Sequence, residues 1–275
     1  MNFAYLARSA ANGDCVLAIR GTYPNPFSRA YWDDGDEDSP FGDMVDWPGA
    51  KISAGTATGL GNLRALIDTA GMTLAEAVAG LPAQSALTVT GHSLGGTLAP
   101  VVALWLSEAM PARAIEAVSF AGMTPGNAAF AALFGSGTAF EGGVTRCFNT
   151  LDTVAYGWDR VYETHGFYEP APKGGLVVSA LLLATAARLA LDGYDYAPVG
   201  TPLPLEGTVQ PPTIGCELVA YVFENLHQHM PDTYVALLGA PPLPFSIGFG
   251  SVVVPRAGAG PDPALGPRLA TYYLV

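Results

Sequence analysis

The stretch Gly91-His92-Ser93-Leu94-Gly95-Gly96 carries the pattern of a nucleophilic serine. Glycine two before and two after a serine lets a strand turn sharply into a helix, where a Cβ would clash. The serine is then held in a strained, exposed backbone position. The following helix N-terminus offers unpaired N–H groups and the positive end of a dipole to a developing oxyanion. The flanks agree with this reading. Leu87-Thr88-Val89-Thr90 alternates as a strand does, and 97–110 is apolar nearly all round, which predicts a buried helix. The competing reading is a glycine-rich turn with a capping serine. A serine hydroxyl is a poor nucleophile until a base takes its proton, and the base needs a third group to fix its tautomer.

Those groups must be positioned by the elements around them. The first clear strand is 15–19, ending at Arg20-Gly21-Thr22. Residues 23–51 read as a long loop rich in Pro, Phe, Trp and Asp. A helix is predicted over 57–70, with Leu60, Leu63, Leu66 and Ile67 at helical spacing. Residues 117–120 and 144–151 read as strands, and 176–191 and 217–226 as helices. This alternation predicts an α/β fold with a mostly parallel central sheet flanked by helices, in one domain over 1–275.

Four segments resemble the class 3 lipases, the fungal-type triacylglycerol lipase family of the α/β-hydrolase fold. Gly91 to Gly96 is similar to the family's elbow. Ile19-Arg20-Gly21-Thr22 resembles its Phe-Arg-Gly-Ser/Thr strand end. The run from Phe120 to Asn127 resembles Gly-x-Pro-x-x-Gly-Asn with the proline displaced. Arg146-Cys147-Phe148-Asn149-Thr150-Leu151-Asp152-Thr153-Val154 resembles Arg-x-x-Asn-x-x-Asp-x-Val. The resemblance departs at Ile52-Ser53-Ala54-Gly55-Thr56, where many members carry a His before Gly-Phe.

In that fold the chain order is Ser, then acid, then His. Asp152 ends the strand 144–151 and is also the residue the resemblance marks; Asp159, beside Arg160, is its competitor. Of four histidines, His92 lies inside the elbow and His165 in a predicted loop. His227 and His229 remain. Pro231 should stop the helix, which puts His229 in the turn leaving it. The family often places its histidine a few residues before a tyrosine, as His229 stands before Tyr234, so His229 is favoured over His227. The oxyanion donors are then the Leu94 N–H and, by resemblance, Thr22. A neutral imidazole base implies activity falling below about pH 6.

The expected activity is carboxylic ester hydrolysis of acylglycerols or similar neutral esters, possible at an oil–water interface, with no cofactor and no metal. Phospholipase, polyester depolymerase or acyltransferase chemistry on the same residues, or a non-catalytic lipid-binding protein, are the alternatives. Two segments compete for the role of a cover: the loop 23–51, with Phe27, Tyr31, Trp32, Phe41, Met44 and Trp47, and the apolar helix 176–191, which reads slightly better as core.

Composition bounds the rest. Half the residues are apolar and 13% charged, which excludes disorder. The net charge of −12, with no run of Lys or Arg, excludes a nucleic-acid surface and predicts repulsion from anionic membranes. The apolar run 176–187 is too short for a bilayer span. No basic leader with an apolar core follows Met1, so cytoplasmic residence or leaderless export is expected. Three cysteines argue against a disulfide scaffold, and Cys15 and Cys147 read as buried thiols. Asp33, Asp34, Asp36, Glu37 and Asp38 could bind Ca²⁺, but their spacing fits a solvated turn better.

Overall fold

Alternation along β1 (Ala4–Ser9) and β2 (Cys15–Ile19) gives an antiparallel hairpin in which Cys15, Leu17 and Ile19 face the core. The computed structural model describes residues 2–22, 29–211, 214–241 and 272–274, with backbone alone for 29–32 and 272–274. Residues 23–28, including Phe27, lie outside the described residues, as do the side chains of Tyr31 and Trp32.

The stretch read as a long loop holds a helix, α1 (Arg29–Glu37), and a hairpin of β3 (Val45–Trp47) and β4 (Ala50–Ile52). Tertiary bonds explain why α1 forms despite Gly35 and its many aspartates. Arg20 pairs with buried Asp34 at 2.9 Å, and Glu37 accepts from Asn2 and Asn62 at 2.7 and 2.8 Å. The acidic run is therefore in large part turned inward rather than a solvated turn. No group of three or more His, Cys, Asp or Glu placed to hold a metal ion occurs among the described residues.

Helix α2 (Ala54–Arg64) starts and stops earlier than predicted. Ser53 caps it, accepting from the Thr56 N–H at 3.0 Å, in the very segment that departs from the family pattern. Helix α3 (Leu74–Ala79) follows, with a capping box of Thr73 and Glu76. Then come β5 (Leu87–His92), the buried α4 (Leu94–Ala109), β6 (Ile115–Phe120), α5 (Ala128–Ala132) and β7 (Val144–Asn149). Strand β7 stops at Asn149, so Asp152 does not end the strand; it caps a 3-10 helix, Thr153–Tyr156, accepting from the Val154 N–H at 3.0 Å. A second 3-10 helix, Val161–Gly166, contains His165, so this residue does not lie in the loop its sequence context predicts.

Helix α6 (Gly175–Leu191) corrects the reading as core, since Leu189 is its one buried residue. Strand β8 (Thr201–Leu205) escapes a sequence reading because Pro202 and Pro204 interrupt it; an edge strand tolerates them. Helix α7 (Glu217–His229) runs past 226 and takes His229 as its last residue, not as part of the turn beyond. Helix α8 (Pro231–Leu237) follows at once, with proline in its first turn, and β9 (Tyr272–Leu274) pairs with β1.

The sheet order is β8-β7-β6-β5-β2-β1-β9. Strands β2, β5, β6, β7 and β8 run parallel, while β1 and β9 are antiparallel to their neighbours. Leu17, Leu87, Val89, Leu98, Val101, Val102 and Leu106 fill the core between sheet and helices. Cys15 and Cys147 are buried free thiols, and Cys216 is exposed and free. No described helix is long and apolar enough to cross a membrane.

Candidate active site

The turn from β5 into α4 is built by close backbone approach. A Cβ on Gly91 would strike the Gly95 carbonyl, and one on Gly95 would strike the Ile19 carbonyl of the neighbouring strand. Between them Ser93 sits at φ 59°, ψ −125°, a region that side-chain-bearing residues rarely adopt. Its N–H donates to the Phe120 carbonyl at 3.0 Å, which ties the strained residue to β6. The hydroxyl is thereby presented at the carboxyl end of the parallel strands.

His229 Nε2 lies 2.9 Å from Ser93 Oγ, and His229 Nδ1 lies 2.9 and 3.1 Å from the two oxygens of Asp152. The Asp152 side chain is fully buried and that of His229 is 17% exposed. An Nδ1–H donated to the carboxylate leaves Nε2 free to accept the serine proton. The competing residues lie elsewhere. His227 makes neither contact, and its Nε2 is buried with no hydrogen-bond partner among the described residues. Asp159 pairs with Arg160 at 3.3 Å. The His165 ring stacks on Tyr162, with Nδ1 against the Tyr162 carbonyl.

A second layer holds the three groups in place. Tyr234 OH donates to Asp152 Oδ2 at 2.7 Å and accepts from the Asn149 N–H at 3.0 Å. The Asn149 amide donates to the Gln228 carbonyl and side chain at 2.8 and 2.7 Å, and Gln228 in turn donates to Glu224 and to the Thr208 carbonyl. This buried chain fixes the end of α7 one residue before His229. The carbonyl of His229, at the helix end, has no intrahelical donor; His92 Nε2 meets it at 2.7 Å. Burial, helped by the neighbouring His229, pushes the His92 pKa down to about 3, so His92 is a neutral N–H donor at working pH.

Sequence reasoning missed these supports. Tyr234 entered it only as a marker after His229, and His92 only as a residue excluded from the base role. Buried polar partners brought together from residues 92, 149, 228 and 234 leave no local pattern in the chain.

Leu94 is the first residue of α4, so its N–H lies in the turn where a helix has no internal acceptor. The Arg20–Thr22 turn packs directly on the elbow: a Cβ on Gly21 would fall 2.6 Å from the His92 carbonyl oxygen and 3.3 Å from Ser93 Cβ. Thr22 Oγ1 donates to Asp38 Oδ2 at 2.7 Å, which holds that turn against α1. Burial raises the Asp38 carboxyl to about 6, against the lowering effects of Thr22 and His229. Its Oδ1 is buried with no hydrogen-bond partner among the described residues.

Burial disfavours the His229 imidazolium, but the charge and hydrogen bond of Asp152, with the charge of Asp38, outweigh it and hold the pKa above the ordinary 6.5. A base held protonated to higher pH loses activity earlier on acidification. The acid limb is therefore expected above 6.5 rather than below about pH 6. Asp38→Asn keeps an acceptor for Thr22 and removes one of the charges favouring the imidazolium. A kcat/KM profile against pH is expected to show its acid limb displaced downward in this variant; an unmoved limb would mean that Asp38 does not act on His229.

The family described as lipase (class 3) matches residues 16–156. That match takes in Thr22, Ser93, Leu94 and Asp152 and ends before His229. The M37 lipase crystal structure is 30% identical, with a TM-score of 0.69 over 86% of this chain and 73% of that one. The chain belongs to the class 3 lipase family, a membership that implies lipolytic ester hydrolysis. A triacylglycerol lipase from Penicillium expansum is 18% identical, with a TM-score of 0.47 over 75% of this chain and 65% of its own. A lipase from Rhizopus microsporus var. chinensis is 24% identical, with a TM-score of 0.42 over 56% of this chain and 50% of its own. Both are too distant to bear on residue roles. No protein of curated function matches the chain by sequence.

Proposed function

We propose that the protein hydrolyses carboxylic esters of acylglycerols or similar neutral substrates through an acyl-enzyme on Ser93. The observation that carries this reading is the unbroken chain from Ser93 Oγ through His229 to Asp152, each step at hydrogen-bond distance. Ser93 Oγ attacks the ester carbonyl while His229 Nε2 takes its proton. The oxyanion is received by the N–H groups of Leu94 and Thr22. His229 then gives the proton to the leaving alcohol, and the C–O bond to it breaks. In the second half, water attacks the acyl-serine, His229 takes its proton and returns it to Ser93, and the acid leaves. Asp152 orients the imidazole and stabilises its cationic form.

The choice of a neutral ester draws on family membership and on the acidic chain, which would repel anionic substrates. The test compares turnover of a triacylglycerol emulsion and a water-soluble butyrate ester with that of a phosphatidylglycerol dispersion. Faster release of acid from the neutral esters is expected. Preferential cleavage of the phospholipid would replace this reading with a phospholipase.

A further inference from the structure

Helix α7 carries the base, yet no apolar face holds it in place. Its buried residues are Ala220, Tyr221, Glu224 and Gln228, while Leu218, Val219, Val222 and Phe223 are 40–49% exposed. Apolar contact is non-directional and tolerates rotation or sliding, whereas a hydrogen bond weakens steeply off its axis. The rotation of α7 matters because a slip of one residue would carry its last side chain about 1.5 Å along the axis and about 100° around it. His229 Nε2 would then leave Ser93 Oγ, which it meets at 2.9 Å.

Polar ties to the segment around Asp152 lie on the side of α7 that bears His229. Tyr221, Asn225 and His229 stand four residues apart, so they stack along one face. Asn225 Nδ2 donates to Thr153 Oγ1 at 2.7 Å, and His229 Nδ1 meets Asp152 Oδ2 at 2.9 Å. Neighbours on the helix face thus meet neighbours in the chain: the Asn225–Thr153 bond is a rung one helical turn before the His229–Asp152 pair. A further turn back, the Tyr221 ring lies 5.2 Å from that of buried Tyr168, whose OH donates to the Leu151 carbonyl at 3.1 Å. Gln228, bonded to Asn149, points about 100° away from His229 around the axis. That tie alone would let the helix pivot about it; Asn225 supplies a second fixed point on the side of the base.

We infer that Asn225 and Thr153 are positioning residues, whose bond fixes the rotation of α7 and so keeps the His229 imidazole between Asp152 and Ser93. Both act through His229 and Asp152. The inference rests on the ester-hydrolase reading for its kinetic arm alone. The test uses Asn225→Leu, Thr153→Val, Thr153→Ser and the combination of Asn225→Leu with Thr153→Val, each assayed well below its melting midpoint. Asn225→Leu and Thr153→Val are each expected to lower kcat by about tenfold or more with KM unchanged, since small misplacements of reacting groups are costly. Thr153→Ser keeps the hydroxyl and is expected to keep most of the parent kcat. The double variant is expected to lose no more than either single one, because both remove the same bond. An NMR titration of His229 on the Ser93→Ala background reads the positioning without turnover. Among the described residues, Asp152 and Asp38 are the charged groups facing the imidazole; His92 is held neutral and Tyr234 un-ionised. Asp152 raises the imidazole pKa, so a looser pair is expected to lower it in Asn225→Leu and Thr153→Val but not in Thr153→Ser. A merely structural bond would depress the melting midpoint and leave kcat and this pKa where they are, and that result overturns the inference. So do additive losses in the double variant. If the parent hydrolyses no ester but the His229 pKa falls in the variants, the hydrolase reading fails and the positioning stands. If the parent hydrolyses and the pKa is unmoved, the positioning fails and the hydrolase reading stands.

Discussion

Replacing Ser93 with alanine is expected to lower kcat for ester hydrolysis on the order of 10⁶-fold while the fold survives. The loss is large because the reaction proposed here forms its covalent bond on Ser93 Oγ, the hydroxyl that lies 2.9 Å from His229 Nε2. Alanine retains the Cβ that the strained backbone already accommodates, so the turn at φ 59° has no new clash to relieve. The structural change is one lost hydrogen bond to a partly exposed imidazole, about 1 kcal/mol. Residual turnover would come from the oxyanion donors alone. Steady-state kinetics with a thermal melt of the same sample checks both halves. A folded variant with activity within tenfold of the parent would remove Ser93 from the reaction.

Asp152→Asn is expected to reduce kcat by about 10⁴-fold with little change in KM. The Asp152 carboxylate accepts from the Val154 N–H, from Tyr234 OH and from His229 Nδ1. An asparagine that keeps its oxygen toward Val154 turns its NH₂ toward His229. That group needs an acceptor at Nδ1, which moves the imidazole proton to Nε2, where it faces Ser93 and cannot take the hydroxyl proton. The same substitution removes the first charge holding the imidazolium, so the His229 pKa should fall and the acid limb with it. A pH–rate profile joined to an NMR titration of His229 reads both effects. Unchanged kcat would mean that Asp152 does not set the tautomer.

How far these residues could be read from the chain depends on what fixes them. The elbow was legible because its glycines answer to backbone crowding within one turn. Asp152 was legible, although the strand before it is shorter than its β-rich composition suggests. His229 and His227 could not be separated by composition. Two residues apart on a helix, they point about 200° apart, and only the docking of α7 selects between them. That docking is made by Asn149 and Gln228 across 79 positions of chain. Helix α1 was hidden for a related reason: its glycine and aspartates argue against a helix, and the bonds of Asp34 and Glu37 to Arg20, Asn2 and Asn62 override them. Strand β8 is hidden by its prolines, and α6 reads as core because a sequence displays apolarity but not what covers it.

A fluorophosphonate probe tests most directly whether Ser93 is an activated nucleophile, since only such a hydroxyl should displace its fluoride rapidly. A single phosphonyl adduct per chain is expected, on the peptide containing Ser93, absent in Ser93→Ala and formed far more slowly in Asp152→Asn. A folded parent chain that takes up no probe, or takes it up on another residue, would contradict it.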